Sequence, residues 1–430
     1  MKQYRSWLAT ILIAGVFPVA LASPGPRTAD VTLDGPGNRL VLQNGDTAII
    51  QGTSAFDSTF NWMNVLYRRG TNDFINLALP LGLTGGTMPL AGPGVVMLNT
   101  NDPFVFGALY TGAADFQVVH KRNAGSYATL AYPADQLVLK SNETAVIVGT
   151  VPFDWSFNWM NILYQQGTGD PVNLILPLGL NGGTMPLNGP AVIRLNTNDA
   201  FVFGAEYTGA VGLQVVPQTS SERYQTLIRP DDEIVLHDGE TAIIDGTAGF
   251  DGAYYSWVNI LYRQGTNDFV NLILPLGLNG GTMPLSGPGV IKLNLNDAFV
   301  FGADYTGAVG FKIVRNSVSA RYQTLAHPAD VIALKNGETA VLEGTTSFDW
   351  SYNWMAIRYR QGNGDFVDTQ LPLGINGETA TFSGPGVIML DAVDPFVYGA
   401  DYTGVAGFKV IHTGNAGPGF LTAPGASLRK

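Results

Sequence analysis

Apolar residues come in short bursts along this chain, and turn-formers punctuate them. Within the first hundred mature residues, Leu40-Val41-Leu42 and residues 47–50, 60–67, 74–79, 95–98, 104–110 and 116–119 are rich in Val, Ile, Leu, Phe and Tyr. Between them stand Asn44-Gly45, residues 70–73, Gly85-Gly86 and Gly92-Pro93-Gly94, which read as turns and breakers. No stretch carries a helical period. Seven or eight short strands in under a hundred residues predict an all-β, antiparallel β-sandwich, jelly-roll or immunoglobulin-like.

The pattern then repeats. Sliding the chain on itself by 97 or 98 residues superposes Leu79-Pro80-Leu81-Gly82 on Leu176-Pro177-Leu178-Gly179, on Leu274-Pro275-Leu276-Gly277 and on Leu371-Pro372-Leu373-Gly374. Tyr110-Thr111-Gly112 recurs likewise at Tyr207, Tyr305 and Tyr402, and residues 172–187 match residues 270–285 at every position. A period this long is a whole domain rather than one coil of a solenoid, which predicts four tandem sandwiches. The boundaries read as 28–122, 125–219, 222–317 and 320–413, with a flexible tail at 414–430. One residue is inserted in the third copy between Asp251 and Trp257, which marks a loop there.

Polar stretches separate the copies, and each is followed by a small motif: Thr129-Leu130 with Pro133, Thr226-Leu227 with Pro230, and Thr324-Leu325 with Pro328. Thr32-Leu33 with Pro36 precedes the first copy in the same way. The motif is either the first strand of the sandwich that follows, with Pro at its edge, or a strand bridging consecutive domains.

Composition narrows the setting. Residues 1–22 join Lys2 and Arg5 to an apolar run ending in small residues, the pattern of a secretory signal peptide, so the chain is expected to be secreted, at the cell surface or extracellular. The apolar run is too short to span a bilayer, and no membrane span is expected elsewhere. Cysteine is absent, which removes disulfides and thiolate metal sites. A net charge of −11 with only 13% charged residues and no basic run argues against nucleic acid as a partner.

Candidate chemistry is sparse. Asn99, Asn101 and Asp102, repeated as Asn196, Asn198 and Asp199 and as Asn294, Asn296 and Asp297, present the oxygen ligands that calcium prefers, without the spacing of a complete calcium loop. Aspartates in such positions also cap their own backbone as turn-formers. Trp62, Trp159, Trp257 and Trp354 lie inside apolar runs and are expected in the core. Trp155 and Trp350 follow a repeated aspartate in a loop and are the candidates for ligand contact. His120, His237, His327 and His412 form no repeated set, and no nucleophile elbow, zinc motif or phosphate loop is present.

The architecture is similar to that of bacterial surface and adhesion proteins made of tandem sandwiches, a likeness at the level of fold alone. The expectation is a non-enzymatic structural or cell-surface protein with no obligatory cofactor. It would partner itself, assembling through repeated edges, or an extracellular polysaccharide as a multivalent lectin or adhesin.

Overall fold

A computed structural model describes residues 29–56, 60–100, 111–120, 126–153, 158–179, 181–197, 208–219, 222–250, 257–277, 279–295, 307–317, 319–348, 353–374, 380–392 and 403–412. All the elements among them are strands. In the first repeat these are β1 (Ala29–Leu33), β2 (Arg39–Leu42), β3 (Asp46–Ala55), β4 (Trp62–Arg69), β5 (Ile75–Pro80), β6 (Thr84–Ala91), β7 (Gly94–Leu98) and β8 (Gly112–His120). They form two antiparallel four-stranded sheets of order β1-β8-β3-β6 and β2-β7-β4-β5. That order is the jelly roll, which resolves the topology the strand pattern left open. Residues 126–217, 222–315 and 320–412 repeat it as β9–β16, β17–β24 and β25–β32.

Period-two alternation builds each core. In β4, Met63, Val65 and Tyr67 point inward and are at most 1% exposed. Leu40, Leu42, Leu77, Leu79 and Val96 join them from the same sheet, and Ile50, Leu90 and Phe116 meet them from the facing one. A phenol is expensive to bury without a partner, and the Tyr67 hydroxyl donates to the Ala91 carbonyl, as Tyr164 and Tyr262 do to Asn188 and Ser286. Burial pushes all three phenols well above the usual tyrosine range.

Three expectations are refined. The Thr-Leu motif is the first strand of the sandwich that follows: β9 (Ser126–Leu130) pairs with β16 (Gly209–Pro217) of its own repeat. Gly85-Gly86, read as a breaker, lies inside β6. The repeated tryptophans open their strands half-buried rather than in the core, because Trp62 alternates with the inward Met63, and Trp354 is 38% exposed. The expected strand at residues 104–110 lies outside the described residues.

Candidate functional site

The most elaborate constellation in the molecule is the joint between one repeat and the next. It starts on β6, where Ile49 pairs with Pro89 and Ile50 with Thr87, leaving Met88 as the extra residue of a β-bulge. Met88 sits in the left-handed region at φ 35°, and its counterparts Met185 and Met283 at 38° and 34°. Such a backbone costs a non-glycine residue on the order of 1–3 kcal/mol and persists only where the surroundings enforce it. Here the Met side chain stays in its own core, and the bulge turns the following Pro out toward the neighbouring repeat.

The receiving surface is the outer face of the next sandwich. Thr129 Oγ1 donates to the Pro89 carbonyl at 2.7 Å and accepts the Ala91 N–H at 3.0 Å. Thr324 does the same with Pro284 and Ser286 at 2.8 and 2.9 Å, and Thr226 donates to Pro186. Beside each threonine the partner strand carries glycine: Gly212 pairs with Thr129, Gly310 with Thr226 and Gly407 with Thr324. A Cβ on Gly212 or Gly310 would lie 2.3 Å from Cδ of Pro89 or Pro186, and on Gly407 2.5 Å from Pro284, so no side chain fits. Gly149 abuts the Met88 amide, where a Cβ would come within 2.7 Å.

Apolar packing runs through the joint without a break. Ala131, Val151 and Ala210 of the second repeat belong to the core cluster of the first, with Tyr132 and Phe153 packed against it. Ile228, Ala248 and Ala308 extend the second core, and Ala326 and Val405 the third. The rim adds polar contacts. Tyr132 Oη donates to the Asp73 carbonyl, and Arg69 donates to the Thr129 carbonyl and pairs with Asp135. The Asp135 carboxylate also accepts the Ala131 and Tyr132 amides, a local cap repeated by Asp232 and Asp330. In the later joints the sheets touch edge to end. β13 (Val172–Pro177) bridges to β19 (Glu240–Gly249) through Ile175 and Gly249, and β21 (Val270–Pro275) to β27 (Glu338–Ser347) through Ile273 and Ser347.

The asparagines expected to bind calcium divide. Asn99, Asn196 and Asn294 are described, and each donates its Nδ2 to the next asparagine on the sheet, Asn76, Asn173 and Asn271, at 2.8–2.9 Å. Asn76 passes the chain on to the Phe153 carbonyl of the following repeat at 3.1 Å. These amides are therefore tied into the joint. Asn101, Asp102, Asn198, Asp199, Asn296, Asp297, Trp155 and Trp350 lie outside the described residues. Among the described residues no three acidic, histidine or cysteine side chains are grouped to hold a metal.

Two carboxylates have unusual environments. Burial pushes Asp245 up to about 6 despite the attraction of Lys312. The Arg321 guanidinium, hydrogen-bonded to Glu338, holds that carboxyl down to about 2 against the effect of burial. Their contributions to stability have opposite signs. Asp245 binds its proton more tightly folded than unfolded, so stability falls as pH rises from about 4 through 6, by roughly 3 kcal/mol. Glu338 adds stability above its unfolded pKa and gives it up as pH drops toward 2. We expect Asp245→Asn to be the more stable protein at pH 7.5, with the difference vanishing near pH 4. Thermal melts across that range would show it, and parallel curves for the two proteins would refute the assignment.

Comparison of the chain with protein-family models and with curated proteins finds no match. Sequence reasoning singled out the joint threonines but missed the glycines and the Met-Pro, although a signal for them existed: glycine at 212, 310 and 407 is Asp115 in the first copy, and Met-Pro at 88, 185 and 283 is Ala380-Thr381 in the last.

Proposed function

We propose that this protein is a non-enzymatic, secreted structural or surface-associated protein whose task is to hold four sandwiches in fixed succession outside the cell. The observation that carries this reading is the threefold repetition of one joint, with its threonine, glycine and bulged Met-Pro, continuous with the cores on either side. A chain that only needed four independent binding modules would be served by loose linkers, which keep avidity without burying the space between domains. Here each joint buries apolar side chains from both repeats, at the expense of a left-handed methionine.

Small-angle scattering and negative-stain electron microscopy of the mature protein test the proposal. Particles of a single length, with no bending at the joints, are the expected result. Particles flexing like beads on a string, together with binding on a glycan array, would replace the structural role with that of a multivalent lectin.

A further inference from the structure

A joint that mates one surface with a different surface is heterologous, and repeated copies of it generate an open array unless something ends it. The chain presents a receiving surface on repeat 1 and a donating surface on repeat 4, so bare copies would add head to tail without limit. We infer that both surfaces are built as caps, closed against another copy of this chain.

On the first repeat the receiving face keeps its framework and loses its fit. The outward residues of β1 and of the position just after it are Asp30, Thr32 and Asp34, where the second repeat has Tyr127, Thr129 and Ala131. The glycine that must lie under the incoming proline is Asp115. Thr32 Oγ1, free of any proline carbonyl, donates to Asp115 Oδ1 at 2.6 Å, and Asp34 accepts from Asn38 Nδ2 at 2.6 Å. Tyr132, Arg229 and His327, which stand over the preceding repeat, are replaced by Gly35. Phe56 keeps its ring and is 52% exposed, whereas Phe153, Phe250 and Phe348 pack against the preceding core. A donating face of the internal kind docked here would drive its proline into the Asp115 side chain and leave Asp30, Asp34 and Asp115 buried without counter-charges.

The donating face of the fourth repeat is altered in the complementary way. β29 (Val367–Pro372) carries Asp368 and Gln370, both exposed, where the other copies have Asn76, Asn173 and Asn271 and the apolar Ala78, Ile175 and Ile273. Leu66, Leu163 and Leu261 give way to Arg358, which pairs with Asp368 at 3.1 Å. Asn99, Asn196 and Asn294 give way to Asp391. The bulged Met-Pro is Ala380-Thr381, and β30 (Thr381–Ser383) pairs with β27 in plain register through Thr381, Phe382 and Ser383. Among the described residues, head-to-tail contact would therefore set Asp30, Asp34 and Asp115 against Asp368, whose neighbour Arg358 is already paired with it. Repetition along the chain and its termination at both ends are thus written in the same few positions, as repeat arrays require of their terminal units.

The test restores the internal residues in the full-length mature chain. Variant N carries Asp30→Tyr, Asp34→Ala and Asp115→Gly; variant C carries Arg358→Leu, Asp368→Asn, Gln370→Ile, Ala380→Met and Thr381→Pro. Light scattering after size exclusion should find wild type, N and C each monomeric, an equimolar mixture of N and C dimeric, and the combined variant in linear filaments visible by electron microscopy. Circular dichroism confirms folding, and the mixing arm does not depend on the combined variant being soluble. A folded N that does not pair with a folded C overturns the inference, as does wild-type protein that already grows end to end. Neither outcome depends on whether the array carries a ligand, so this result and the one under the proposed function fail separately.

Discussion

Replacing Gly310 by aspartate should split the molecule between its second and third repeats. The position is opposite Pro186, where even a Cβ would stand 2.3 Å from Cδ. The side chain can be admitted only by lifting the proline off the sheet, and its charge would then be held in an apolar joint lined by Ile228, Ala248 and Ala308. Overpacking of this kind costs about 1–3 kcal/mol, and an unpaired buried carboxylate at least as much again, so a loss of about 4 kcal/mol or more is expected. The cooperative melt should resolve into two transitions, and limited proteolysis should cut between the halves. Asp115→Gly is the control. It removes one exposed hydrogen bond from a face that nothing in the described residues covers, and should change stability by about 1 kcal/mol or less. Equal effects at the two positions would mean that the joint contributes nothing.

The second large effect is expected from ending the chain after residue 317. Phe348, Ala326 and Val405 would no longer cover the third core, and the bulge at Met283-Pro284 would face water together with Ile273 and the buried Asn259. Stability in stacked repeats is close to a sum of intrinsic and nearest-neighbour contributions, so the damage should concentrate in repeat 3. Losing even about 2 kcal/mol from a unit of about a hundred residues lowers its melting point by roughly 10 °C. The truncated protein should also bind a dye for exposed apolar surface and associate as its concentration rises, which the full chain should not. A truncated chain that melts like the original and stays monomeric would show that the donating face is indifferent to cover. Removal of repeat 4 would then be no different from removal of a tail.

Much of this was legible in the order of residues alone. Alternating Val, Ile and Leu between glycine turns required strands, and a period near a hundred residues required four sandwiches, because both signals are local and each repeat restates them. The membership of the Thr-Leu strand was left open, since a strand's partner is chosen across the sheet: β9 found β16 some ninety residues later in its own repeat. Topology was undecided for the same reason. The strand β6 was misread because its glycines and proline weaken strand propensity. The reason for the proline lies in another repeat, whose Gly212 leaves room for its ring and whose Thr129 takes its carbonyl, while Gly85 stands at a positive φ of 87°. The described members of the candidate cation set, Asn99, Asn196 and Asn294, donate to Asn76, Asn173 and Asn271, and Asn76 donates on to the next repeat, for a similar cause, since an amide's partners depend on what the fold sets beside it. Sequence by itself determined the sandwiches and their number, through patterns that burial enforces residue by residue. Only the tertiary structure decided how they join and where the joining stops, because those depend on which outward faces meet.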